Sequence, residues 1–359
     1  MLNPERLREL AEAAELRATG LAQEIAAELM RPTTKRRRVD DDLNALLRLQ
    51  VEVGRIARQM RHVVPSPTLR DRKPGFGRIT TPQYLKLLRT RVSLWMKVIE
   101  ATAECIAGHE WPLVPELRPR FDLGGVQQGL LNAAFTVAHR AVNPTPQAEN
   151  ADEHGCFPDI PLNVARFMAI THLAYRLLLA RKHPGPVRFL DVGCGGGVKV
   201  AIASELFADA VGMEYDPGYV EVAARTFKAM RTNRCSVFQA DGLTYDGYAD
   251  YDVIYFYQPM SDDDGLIALE RQIVQRARPG TILLAPYQLF APRAKALNCA
   301  LVHESVYVKD ASAKEVAVLI AEAHRMGPHI VKPDKGVPAE AGWLTPLWLA
   351  CEANGIRPD

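Results

Sequence analysis

Through the first 142 residues the apolar positions recur at three- and four-residue spacing, which is the helical period. Leu7, Leu10, Ala14, Leu21, Ile25 and Leu29 place one apolar face on a helix over residues 3–31, which Pro32 stops. Asp40, Asp41 and Asp42 sit where a second helix begins, and acids there suit its dipole; this helix runs to residue 63. Prolines and glycines between 64 and 80 read as a loop. Thr81-Pro82 opens a third helix whose face carries Leu88, Val92, Trp95, Ile99 and Ile106. A fourth covers 122–142. Residues 143–161 read as irregular, and a helix over 162–181 follows.

From residue 187 the pattern changes. Short apolar strands over 187–192, 210–214, 235–239, 251–257, 281–286 and 300–309 alternate with helices over 198–207, 217–230, 264–277 and 312–326, and a short helix near 345–353 closes the chain. Such alternation predicts an α/β fold, a doubly wound and mostly parallel sheet with right-handed crossovers, preceded by an all-helical N-terminal domain. Residues 1–150 read as the helical domain and 151–359 as the sheet domain.

The first strand runs straight into a glycine cluster, Phe189-Leu-Asp-Val-Gly-Cys-Gly-Gly-Gly-Val198, and then into a helix. Strand, glycine turn and helix bring a backbone close to a nucleotide-like ligand, because a Cβ would block the approach or a positive φ. Gly193 and Gly195 fit the dinucleotide spacing G-x-G-x-x-G, but its third glycine is replaced by Val198, which argues against a nicotinamide-dependent oxidoreductase.

What the chain has is Asp191-x-Gly193-x-Gly195-x-Gly197. This resembles the first motif of the class I, Rossmann-like methyltransferases that depend on S-adenosylmethionine (SAM). The ends of the following strands extend the resemblance. Strand two ends in Glu214, a carboxylate able to accept from both ribose hydroxyls. Asp216 reads as the cap of the next helix. Strand three ends in Asp241-Gly242, which resembles the acid that accepts from the adenine amino group. Strand four ends in Tyr257-Gln258-Pro259, where the family faces the methyl group; the Asn/Asp-Pro-Pro-Tyr/Phe motif of enzymes that methylate nucleic-acid amines is absent here. The resemblance spans residues 155–310 and leaves the N-terminal helices outside. Phe157-Pro-Asp-Ile-Pro161 and Phe256-Tyr-Gln-Pro259 are, in addition, similar to segments of the seven-strand protein lysine methyltransferases.

The resemblance implies SAM as cofactor, held by Asp191, Gly193, Gly195, Gly197, Glu214, Asp241 and Gly242. It implies an acceptor lined by Tyr257, Gln258, Phe157 and Asp159, with protein lysine, RNA and a small molecule all open as acceptor. The alternative is a SAM-binding module without turnover, acting as a scaffold through its helical domain. The nine histidines and six cysteines show no metal-ligand spacing, so no metal is expected. Asp262-Asp-Asp264 reads as helix capping.

Composition adds two points. The net charge is +2, yet residues 31–97 hold 17 lysines and arginines against 5 acids, a local excess of +12. Lys35-Arg-Arg-Arg38 and Arg70–Lys73 fall in expected links, where they are open to a polyanion or an acidic partner, although no aromatics interleave as single-strand binding favours. No apolar run reaches membrane-spanning length, and no C-x-x-C pair occurs, so a cytoplasmic, reduced protein is expected. The helical domain serves equally as a lid, a recruiting surface or a homodimer interface.

Overall fold

The computed structural model describes residues 3–64, 79–114, 123–143, 147–158, 160, 163–331 and 336–358. The chain divides into two units, Met1–Trp111 with Arg325–Asp359, and Pro112–His324.

The first unit is helical. α1 (Pro4–Leu29) is capped by Asn3, whose side chain accepts from the Arg6 amide at 2.7 Å, and Pro4 stands in its first turn. Ala11, Ala14, Ala18 and Ala22 have no exposed surface. These small side chains let α2 (Asp40–Val63) pack close along α1. α3 (Thr81–Ile106) begins with a reciprocal capping box between Thr80 and Gln83. Its Trp95 is fully buried and meets Trp343 edge-on at 4.6 Å. Glu15 is a carboxylate buried in this core. It accepts from the Tyr84 hydroxyl at 2.9 Å, Arg91 Nη1 at 2.6 Å and Trp343 Nε1 at 3.0 Å. Three donors offset the cost of burying the charge.

The second unit carries α4 (Leu123–Val142), α5 (Glu149–Glu153) and α6 (Val164–Ala180) ahead of the sheet. Its strands are β1 (Arg188–Val192), β2 (Asp209–Glu214), β3 (Cys235–Gln239), β4 (Val253–Phe256), β5 (Ile282–Leu284), β6 (Cys299–His303) and β7 (Val306–Lys309). The order is β3-β2-β1-β4-β5-β7-β6, parallel throughout except for β7, which runs antiparallel to both neighbours. The connecting helices are α7 (Val198–Ala203), α8 (Pro217–Met230), α9 (Asp263–Arg276), α10 (Ala291–Ala294) and α11 (Ala313–His324). β1 and β4 sit centrally, and Phe189, Leu190, Val253, Ile254 and Phe256 are fully buried, as a sheet covered on both faces requires. The strand order reverses between β1 and β4, which places the ligand-binding crevice at their C-terminal ends.

Several expectations are corrected. Residues 300–309 form two strands, because the chain turns at Glu304, φ +40°, and Ser305, a turn that no glycine or proline marks. The helix after β1 stops at Ala203; Ser204 Oγ bonds back to the Ala201 carbonyl at 2.7 Å, and the apolar Leu206 and Phe207 beyond it are core rather than helix. Residues 143–161 contain the short helix α5. The domain boundary expected at 150/151 shifts. Residues 112–150 group with the sheet, and the C-terminal segment, including α12 (Thr345–Glu352), groups with the N-terminal helices. Leu344, Leu347 and Cys351 have no exposed surface there, and Asn354 Nδ2 donates to the Leu29 carbonyl at 3.1 Å.

The basic run is also less available than its sequence suggests. Arg36 Nη2 donates to the Leu29 carbonyl at 2.8 Å and to Asn354 Oδ1 at 2.5 Å. Arg37 pairs with Glu24, Glu28 and Asp42. Lys35 and Arg38 stay exposed, and Arg70–Lys73 lie outside the described residues.

The second unit is closed by Arg176 of α6, 1% exposed. Its Nη1 donates to the Pro112 carbonyl at 2.5 Å and its Nη2 to the Ala323 carbonyl at 2.8 Å, so one guanidinium ties the first residue of the unit to its last helix. Burial lowers its pKa to about 10, and it remains charged at neutral pH. Arg176→Met is expected to lower the unfolding free energy by roughly 3 kcal/mol, since buried carbonyls lose charged donors. Urea unfolding checks this; an unchanged midpoint would show that the carbonyls find other donors.

Candidate functional site

The site is built on the turn between β1 and α7. Gly193, Gly195 and Gly197 adopt φ of +73°, +53° and +78°. A Cβ on Gly193 would lie 2.9 Å from Pro259 Cβ, and one on Gly197 would lie 2.6 Å from Phe227 Cζ. The turn is therefore wedged between the segment after β4 and helix α8, and only glycine fits. The amides of Gly193 and Cys194 donate to the Met213 carbonyl at 2.9 and 3.1 Å. Glu214, 7% exposed, completes the hold: Oε2 accepts from the Gly195 amide at 2.8 Å, and Oε1 from the amides of Tyr215 and Asp216 at 2.8 and 3.0 Å.

A cleft of about 650 Å³, its open mouth included, lies over the C-terminal ends of β1 to β4. Gly193, Gly195, Glu214, Tyr215, Asp241, Gly242 and Leu243 line one part of it, and Phe157, Tyr257, Gln258 and Pro259 another. Asp241 Oδ1 accepts from the Leu243 amide at 2.9 Å and lies 3.4 Å from His154 Nε2. Asp216 points away from the cleft. It caps α8 through Gly218 at 2.7 Å and also accepts from the Ala148 amide at 2.8 Å, which fixes the start of α5. Asp262 caps α9 through the Gly265 amide at 2.6 Å, as the capping reading requires.

The segment leading out of α5 is laced to the segment after β4. Cys156 and Met260 form an antiparallel bridge, Phe157 N donates to the Pro259 carbonyl at 3.0 Å, and Ser261 N to the Gly155 carbonyl at 2.7 Å. Phe157 and Tyr257 both line the cleft. Gln258 has φ +46°, a left-handed conformation that costs a non-glycine residue free energy and that clusters at ligand-binding turns.

Of the residues expected from sequence, Gly193, Gly195, Glu214, Asp241, Gly242, Tyr257, Gln258 and Phe157 line the cleft. Asp191 and Gly197 are not among its lining residues. Asp191 is fully buried in β1 between Gly212 and Tyr255, and Gly197 faces α8, so both shape the turn from behind. Asp159 lies outside the described residues. The sequence did not point to His154, Cys156, Lys199 or Tyr215, which also line the cleft. Tyr215 follows Glu214 and was within reach of the strand-end rule. The other three were not: His154 and Cys156 arrive from α5, and Lys199, 4% exposed with Nζ 5.7 Å from the Tyr255 ring centre, reads as an ordinary helix-surface lysine.

Burial, then the carboxylates of Glu214, Asp241 and Asp216, push the Cys156 thiol up to about 12. A raised pKa keeps the thiol protonated through neutral pH, so about one in ten thousand is ionised at pH 8. Iodoacetamide at pH 8 is therefore expected to label Cys156 at least a hundredfold more slowly than in the unfolded chain, gaining with rising pH. Mass spectrometry of the labelled peptide reads the rate, and parity with the unfolded chain would show that the thiol is neither buried nor held beside the three carboxylates.

Residues 141–289 match the family model for Protein-L-isoaspartate(D-aspartate) O-methyltransferase (PCMT). No curated protein matches the sequence. Among solved structures, a SAM-bound amino pentose methyltransferase from Micromonospora echinaspora is 19% identical, with a TM-score of 0.27, over 37% of this chain and 59% of that one. An RNA methyltransferase from Salinibacter ruber in complex with S-adenosyl-L-homocysteine is 19% identical, with a TM-score of 0.31, over 44% of this chain and 99% of that one. The chain thus spans about three-fifths of the first of these and nearly all of the second. The family match and the strand order together identify residues 141–289 as part of a class I, SAM-dependent methyltransferase domain.

Proposed function

We propose that this protein transfers the methyl group of SAM to an acceptor whose attacking atom enters the cleft already free of its proton. The observation that carries the cofactor half is the Glu214 carboxylate, which holds the Gly195 amide and lines the cleft at the end of β2. A carboxylate at this strand end is an acceptor of the kind that ribose hydroxyls need. Gly193 and Gly195 let a ligand lie against bare backbone, Asp241 offers an acceptor for the adenine amino group, and Lys199 supplies a cation for the amino-acid carboxylate. SAM, when bound, supplies a methyl group activated by its sulfonium.

The acceptor half rests on what lines the other part of the cleft. Phe157, Pro158, Ile160, Tyr257, Gln258 and Pro259 present four apolar side chains, a phenol and an amide. Among these described residues there is no aspartate, glutamate or histidine to take a proton. Tyr257 and Gln258 can orient a polar group, and holding donor and acceptor in line supplies the rate. A carboxylate, the acceptor type in the matched family's name, needs no base. A neutral amine also attacks through a lone pair already present. Protein and small-molecule acceptors of these kinds suit the wall better than an alcohol.

The test is label transfer from methyl-labelled SAM to cell extract, with parallel protease and RNase treatment, followed by mild base. A methyl ester releases its label as methanol, and an N-methyl group keeps it. Transfer to an alcohol or phenol oxygen would contradict the acceptor reading, and binding without any transfer would leave a silent SAM-binding module.

Glu214→Gln is expected to weaken SAM and S-adenosylhomocysteine binding tenfold or more by calorimetry, since ribose hydroxyls left poorly paired cost roughly 1–3 kcal/mol. Unchanged affinity would place the cofactor elsewhere.

A further inference from the structure

His154 ends α5 and lines the cofactor part of the cleft. Its ring lies flat on Tyr215, with centroids 4.2 Å apart and planes 6° from parallel. In the same pose its Nε2 lies 3.4 Å from Asp241 Oδ1. The backbone on either side is fixed. Ala148 at the start of α5 is tied to Asp216, and the Gly155 carbonyl accepts from both the amide and the hydroxyl of Ser261, at 2.7 and 2.9 Å. The imidazole is thus delivered to this spot by the lacing of the segment to the loop after β4.

A purine with an exocyclic amine needs a flat apolar face and an acceptor at its edge. Tyr215 and Asp241, at the ends of β2 and β3, offer that pair, and the imidazole uses both. Two rings cannot occupy one stacking position. We infer that His154 is an internal occupant of the purine position, and that its ring turns away before an adenosyl ligand seats. This inference rests on the SAM reading above. The ring is held by one stack and one long hydrogen bond, a hold weak enough to release. While it is in place, the apparent affinity for any adenosyl ligand falls in proportion to the fraction of molecules in which the ring is out. His154 would then set how tightly cofactor and its demethylated product are held. It takes no part in the reaction at the methyl group.

The experiment is calorimetric titration of the full chain with S-adenosylhomocysteine and, separately, with adenosine, for the parent protein, His154→Ala and His154→Phe. Removing the ring is expected to tighten both ligands roughly fivefold to tenfold, because the competing stack is gone. The phenylalanine ring still stacks on Tyr215 and is expected to give no gain. His154→Ser serves as a second truncation should the alanine protein fold poorly. Weaker binding by the truncations would make His154 a wall of the site, and equal gains in alanine and phenylalanine proteins would place the effect outside the stack; either result overturns the inference while the SAM reading stands. A parent protein that binds no S-adenosylhomocysteine would overturn both.

Discussion

The bond between Glu214 and the Gly195 amide is the constraint on which the rest of the site depends. It joins the C-terminal ends of β1 and β2 through a side chain, in addition to the strand ladder. The turn it holds alternates left-handed glycines, and such a turn has no helix or sheet bonds of its own to stabilise it. The Gly197 amide bonds within the turn, to the Cys194 carbonyl at 3.1 Å, while the amides of Gly193, Cys194 and Gly195 are paired from outside. Met213 contributes a carbonyl for Gly193 and Cys194, and Glu214 a carboxylate for Gly195. With the turn so fixed, α7 starts in one direction only, and the bare backbone of Gly193 and Gly195 faces the cleft. Gly197 lies against Phe227 with no room for a Cβ, which sets how closely α8 approaches. In the proposed function one carboxylate serves structure and ligand together, and its oxygens are held in place by three amides, so ribose binding need not order them.

The second constraint is non-local. Residues 155–157 pair with 259–261 across about a hundred residues of chain. That pairing decides which side chains of the two segments line the cleft, and it carries His154 and Cys156 to it. It also explains the strained backbone at Gln258. The chain must leave β4, present a side chain to the cleft, and still offer Pro259 to Phe157 and Gly193. The surrounding pairing over-determines that turn, which is the condition under which a left-handed non-glycine residue persists.

This division separates what could be read in the sequence from what could not. The strands and the glycine turn were legible because their signals are local: apolar runs of strand length, and glycines where L residues would clash. Glu214, Asp241 and Tyr257 followed from asking what stands at each strand end. The hairpin at Glu304 was not legible, since neither glycine nor proline marks it and the apolar pattern runs through. Leu206 and Phe207 misled for a related reason, as buried residues after a helix look like a continuation of its face. His154 and Lys199 carry no motif. Their placement follows from which distant segment or strand packs against them.

The basic stretch shows the same limit in electrostatics. A count of +12 over residues 31–97 suggests a field directed at an outside partner, yet charge along the chain is not charge in space. Arg36 is turned inward to the carbonyl end of α1, where a cation suits the dipole, and Arg37 faces Glu24, Glu28 and Asp42. Arg91 neutralises the buried Glu15. Each of these arginines is a pairing partner within the helical unit, and removing one would leave a buried carboxylate or a helix end unpaired before it weakened any external contact. Of the described run Lys35, Arg37 and Arg38 are exposed, and of these Arg37 is already paired with acids of its own unit. Phe157, Tyr257 and Gln258, the acceptor wall of the proposed function, line the cleft of the other unit and take no part in this charge pairing.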